Sequence, residues 1–180
     1  VANQTLDNTA GKIETNGNVT IRAATLVNNQ GRIASAKLAN VSASSSLNNT
    51  DGVIIVAQNL ALTGGDVNNS RGAIQAVGGN ATINVADLRN NAGNVYAGGH
   101  LATSAVNVTN SGNLYAAGNQ LLNVTGTVNN TGLIAAQGNN VITANSLTSD
   151  ATSLLGAGIK ADGMLANAGN LSVTTTQGLT

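Results

Sequence analysis

From Leu6 to about residue 146 the chain repeats itself about every 20 residues. The phrases LDNTAGKI, LVNNQGRI, LNNTDGVI, VNNSRGAI, LRNNAGNV, VTNSGNL and VNNTGLI follow one another along it. A unit this short is too small to bury an apolar face alone and does so only by stacking on its neighbours. That constraint points to a rod assembled coil on coil, and away from a closed globule built around one site.

Each unit opens on an aliphatic residue: Leu6, Leu26, Leu47, Val67, Leu88, Val108, Val128 and Leu147. Two positions on, an asparagine recurs as Asn8, Asn28, Asn49, Asn69, Asn90, Asn110 and Asn130, until Ser149 takes its place. A glycine closes the segment each time, as in Gly31, Gly52 and Gly93. Asparagine and glycine both tolerate left-handed backbone, so the segment reads as a turn. A strand follows, with Ile13, Ile33, Ile54, Ile74, Val95, Leu114 and Ile134 as its inward core column. The period-two alternation around these residues is that of a half-buried strand.

About three strands and three turns in 20 residues describe one coil of an all-β fold, a parallel β-helix or β-solenoid. The preference for right-handed parallel crossovers makes it right-handed. Seven or eight coils at one strand spacing give a rod roughly 35–40 Å long. The asparagines then form a structural ladder, their amides bonding up and down the rod or satisfying corner carbonyls. Residues 1–146 carry the regular repeats, and 147–180 read as two variant coils continuing the same β-helix.

Composition agrees with a narrow, layered interior. The chain is 42% hydrophobic but only 1% aromatic and 8% charged, with no Phe, Trp, Pro or Cys. Val, Ile, Leu and Ala suit thin layers, and the absence of proline keeps every backbone N–H available to a ladder. Without cysteine there is no disulfide and no thiolate metal site. A formal net charge of zero speaks against nucleic acid or an anionic membrane as a partner. No leader and no apolar run of spanning length is present, so the chain reads as an internal piece of a longer one.

Candidate chemistry is sparse. The acids Asp7, Glu14, Asp51, Asp66, Asp87, Asp150 and Asp162 fall at different coil positions, with no column to form a carboxylate pair. No catalytic residue, cofactor or metal ligand is assigned, and the chain reads as a non-enzyme. His100 is the one histidine and reads as a loop residue; Asp51 and Arg71 read as a surface ion pair. One outward column runs Glu14, Ala34, Ile55, Gln75, Tyr96, Tyr115, Ala135. Within it Ile55, Tyr96 and Tyr115 are the candidate surface contacts for a sugar, a receptor or another rod. Cross-strand stacking that merely stabilises the sheet is the other reading of the two tyrosines.

The LxNxxGxI phrase, the turns Ala97-Gly98-Gly99 and Ala117-Gly118-Asn119, and the stretch SLLGAGIKADG at 153–163 resemble the filamentous haemagglutinin repeats of two-partner-secretion exoproteins. That family includes adhesins and contact-dependent growth-inhibition exoproteins, and the resemblance covers nearly the whole chain. It implies a stalk segment of a secreted filament on the bacterial surface, exported through a partner outer-membrane β-barrel transporter, and projecting a distal functional region. The alternative is a rod face that itself grips a cell-surface receptor or glycan. A polysaccharide-cleaving β-helix enzyme is the third reading, and it needs acids converging on one groove.

Overall fold

Because the aliphatic residues alternate with small or polar ones, the chain lays down short strands with one face inward, and the parallel repeats pair them in register. The structure, a computed structural model, describes residues 4–166 and 168–180. Every described strand pairs in parallel with its equivalents one coil away. The first face of the rod is an eight-stranded sheet: Lys12–Thr15, Arg32–Ser35, Val53–Val56, Ala73–Ala76, Asn94–Ala97, Asn113–Ala116, Leu133–Ala136 and Leu154–Ala157. A 12-stranded sheet supplies the second and third faces. In the early coils it runs round the corner unbroken, as in Val19–Val27, Ala39–Asn48 and Leu60–Asn68. In the middle coils the corner separates two strands, such as Leu101–Ala105 and Asn107–Asn110, and in the last it is unbroken again, as in Asn140–Ser149. Small residues make that corner; a Cβ on Gly65 would collide with the carbonyl of Ser45 in the coil beneath.

The interior is a bundle of columns. On the first face Ile33, Ile54, Ile74, Val95, Leu114 and Ile134 are at most 1% exposed, while Ile13 in the first coil is half-buried. The second face contributes Ile21, Val41, Leu62, Ile83, Leu122 and Ile142, and the third Leu26, Leu47, Val67, Leu88, Val108, Val128 and Leu147, all buried. Each such side chain contributes roughly 1.5–3 kcal/mol by leaving water. The contribution is made only once a neighbour is stacked on either side, so stability accrues coil by coil.

The turns correct one expectation. The left-handed residue is neither the asparagine nor the glycine but the one just before the glycine: Ala10, Gln30, Asp51, Arg71 and Ala92 have φ of 51–55°. The glycine N–H returns to the asparagine carbonyl, as Gly31 to Asn28 at 3.1 Å, closing a type II-like turn. Glycine is required there by close approach. A Cβ on Gly31, Gly52, Gly72 or Gly93 would run into the asparagine carbonyl of the preceding coil and the Oδ1 of its own coil's asparagine.

A second correction concerns the C-terminal stretch. Leu147 pairs with Leu179, 32 residues on, where earlier coils close in 19 to 21. Residues 147–180 therefore form one long coil and not two. The extra length lies between Ala157 and Leu171. It folds back as a flap: Ile159 and Leu165 form an antiparallel bridge, Gly163 N–H bonds the Lys160 carbonyl at 2.9 Å, and Gly158 and Gly163 take φ of 69° and 84°.

Adjacent residues of one turn should respond in opposite ways. Gly93→Ala should lower unfolding free energy by about 3 kcal/mol or more through overpacking. Ala92→Gly, which relieves a left-handed alanine, should stay within about 1 kcal/mol of the parent. Urea denaturation of the two variants measures both.

Candidate functional site

The buried asparagines line one corner of the rod. Asn28, Asn49, Asn69, Asn90, Asn110 and Asn130 are at most 1% exposed, and Asn8 in the outermost coil is 7% exposed. From Asn8 to Asn110 each Nδ2 donates to the Oδ1 of the next coil's asparagine, at 2.7 Å from Asn8 to Asn28 and 2.8 Å from Asn110 to Asn130. Each also approaches a turn-glycine carbonyl of its own coil and a strand carbonyl of the next, as Asn49 does Gly52 and Ala73 at 3.1 Å. One side chain thus satisfies the polar groups that the corner would strand away from water. At Ser149 the column ends, with the serine hydroxyl 2.6 Å from that of Ser153.

A second, exposed column lies at the next corner and was not recognised in the sequence. The Oδ1 of Asn59 accepts the N–H of Asn80 (2.9 Å), Asn80 that of His100 (2.8 Å), Asn119 that of Asn139 (2.9 Å) and Asn139 that of Asn170 (2.9 Å). His100 is a rung of this column: its Nδ1 accepts the N–H of Asn119 at 2.9 Å, which leaves the ring proton on Nε2. The column's signal in the sequence is a glycine–asparagine pair at the same coil position, Gly79-Asn80, Gly118-Asn119 and Gly138-Asn139. Inside the rod, Asn140 does comparable work, donating to the carbonyls of Ile134 and Gly156 at 3.1 and 3.0 Å.

The outward column of the first face has the expected register, Glu14–Ala34–Ile55–Gln75–Tyr96–Tyr115–Ala135. The two tyrosine rings are stacked, with centroids 6.1 Å apart and planes 14° from parallel. Tyr115 nevertheless fails as a surface contact. It is 4% exposed, because the flap covers it and its hydroxyl donates to the Ile159 carbonyl at 3.1 Å. Burial, with the charges of Tyr96 and Asp162 adding, pushes the Tyr115 hydroxyl above its ordinary value of 10.0, partly offset by a hydrogen bond from the Ala161 backbone. Ile55 and Tyr96 are partly exposed.

The charged residues pair locally. Arg71 grips Asp51 with two bonds of 2.8 Å and holds its carboxyl below the usual range, while Arg32 meets Glu14 at 2.7 Å. Asp7 and Asp150 are held low by the hydroxyls and N–H groups of Thr9 and Thr152. Asp66 and Asp87, expected at unrelated positions, occupy one column, and Arg89 reaches both at 3.7 and 3.1 Å. Among the described residues no three of His, Asp or Glu gather where they could hold a metal ion.

A profile of the family described as haemagglutinin repeat matches residues 1–49, 34–80, 76–116 and 115–180. Toxin CdiA of Yersinia pestis is 56% identical over 43 residues, a stretch that takes in 24% of this chain and 1% of the toxin. The chain thus spans only a small part of that relative's length. No solved structure matches it.

Asn69→Leu should cost about 3 kcal/mol or more, since it leaves the amides and carbonyls of neighbouring coils unpaired in the interior. Asn69→Asp keeps the shape and loses the donor. Its penalty should grow as pH rises above about 4, where the unfolded carboxyl ionises while the buried one resists; chemical denaturation at pH 4 and pH 7 reads the difference. In a Tyr96→Phe background, alkaline absorbance titration should show Tyr115 ionising above 10.0. Its raised folded value means that the stability tied to this group is intact below the unfolded pKa and falls as pH climbs past it.

Proposed function

This chain belongs to the haemagglutinin-repeat family, and from that premise we propose that it is a stalk segment of a secreted filament on the bacterial surface. Its role is mechanical: to project a functional region that lies elsewhere in the parent protein. The observation that carries the reading is the unbroken run of stacked coils with an internal amide ladder, matched by the family along its whole length. Such a rod gains length and stiffness by adding coils, with no new chemistry needed at each step. The likeness to toxin CdiA over 43 residues makes a contact-dependent inhibition exoprotein a fitting parent. Adhesins of the same construction are the other.

The segment acts without catalysis on this reading. All seven of its acids are engaged, Glu14, Asp51, Asp66 and Asp87 by arginines and Asp7, Asp150 and Asp162 by their own turns, and the one pair that shares a column, Asp66 and Asp87, is bridged by Arg89. A hydrolase of carbohydrate needs two carboxyl groups facing a substrate between them. Export uses the transporter barrel of a two-partner system, and a chain free of cysteine can pass an oxidising compartment without being trapped by disulfides. Sequential stacking outside the membrane then opposes return of the chain.

Binding of the purified, folded chain to epithelial and bacterial cells tests the stalk reading, with Tyr96→Ser beside it. Tyr115 is left alone because the flap depends on it. A passive stalk shows no saturable binding to either cell type. Saturable binding that is lost in Tyr96→Ser would overturn the reading and make this face adhesive.

A further inference from the structure

The outer surface of the first face is uneven along the rod. Towards the N-terminal end, short outward residues lie between a polar rim and the neighbouring turns, and the surface dips into an open hollow of about 570 Å³. Ala34, Ile55, Ala57 and Val77 line it, and the Glu14–Arg32 pair walls one end. The equivalent outward positions of the third face carry polar or charged side chains such as Asn48, Asp66 and Arg89. Towards the C-terminal end the same face carries the flap instead. Ile159 is buried there, over Gly156 and beside Tyr115, while Met164 and Leu165 next to it are 60% and 84% exposed.

We propose that the occupant of the hollow is the flap of a second copy of this chain, the two rods lying antiparallel and face to face about a twofold axis. A dyad in the plane of the face and across the rod reverses the order of the coils and leaves each column at its own lateral position. The flap sits over the Tyr115–Ala135–Gly156 end of the column that begins Glu14–Ala34–Ile55. The operation therefore carries each flap onto the partner's hollow, and both contacts form at once, which closes the assembly at two copies.

The chemistry matches the placement. Met164 and Leu165 meet a floor of Ala34, Ile55 and Val77, much as Ile159 already covers Gly156 within one chain. Lys160 and Asp162 are exposed on the flap, and the Glu14–Arg32 pair sets one charge of each sign at the hollow, so both sides of the contact carry a matched pair of opposite charges. The chain's formal net charge of zero adds no long-range repulsion. The dyad falls beside Gln75 and Tyr96, which places a half-buried aromatic ring at the centre of the contact, where anchors concentrate. This inference stands apart from the stalk reading: a rod that pairs is still a rod that projects.

The absence of cysteine makes the test direct. A Leu165→Cys chain mixed with a Val77→Cys chain should form mixed disulfide dimers about tenfold or more faster than Leu165→Cys mixed with Ser104→Cys, which lies on the second face. Sedimentation equilibrium of the parent chain should show a concentration-dependent dimer. Leu165→Asp, at a solvent-exposed site, should weaken that dimer about tenfold with the fold unchanged by circular dichroism. A chain that stays monomeric, or a dimer whose cross-linking shows no preference between the two mixtures, would overturn the proposal and leave the hollow to a partner of another kind.

Discussion

Parallel stacking in register imposes one demand on this chain: every side chain meets its own counterpart a strand spacing away. Only groups compatible with themselves can fill a long column. Aliphatic residues satisfy the demand inside, and glycine satisfies it where backbones nearly touch. A primary amide satisfies it at a buried corner because it carries donor and acceptor together, so like bonds to like without limit. Carboxylates and ammonium groups do not, which accounts for a chain only 8% charged. Where two acids do share a column, at Asp66 and Asp87, Arg89 sits between them and the next residue up is Asn107, which donates to Asp87 at 3.0 Å.

Columns were therefore the legible part of the sequence. The asparagine and isoleucine series could be written down from spacing alone, because register in a solenoid follows from repeat length and hydrophobic phase. The details of turn backbone were not. Ala10, Gln30, Asp51, Arg71 and Ala92 share a left-handed φ but no chemical likeness, so no residue type marks the position. The glycine beside them is explained by a carbonyl in another coil, and that contact exists only after stacking. The outer column containing His100 was hidden for a related reason. An imidazole and an amide look unalike in sequence, yet present the same acceptor to a backbone N–H.

The flap is the clearest case of local sequence failing to report its surroundings. GAGIKADGML reads as another strand and turn, and its Gly and Asp residues mark turns as they do elsewhere. What sets it apart is the 32-residue interval to the next in-register leucine, seen only once pairing is known. That one insertion changes the fate of Tyr115, which leaves its strand on the outer side like Tyr96 but ends beneath a second layer of chain. In a fold this regular, the surface takes its individuality from its departures from the repeat.

The inner amide column also has a direction. From Asn8 to Asn130 every link runs the same way, nitrogen of the earlier coil to oxygen of the later one. Aligned amide dipoles add along their axis and polarise one another, so a molecule without net charge still has two electrically unlike ends. Each coil presents to the next a single side-chain amide nitrogen already in place. A coil on the C-terminal side therefore meets the ladder through its oxygen and one on the N-terminal side through its nitrogen, so the two ends of the rod receive a neighbour by opposite chemistry.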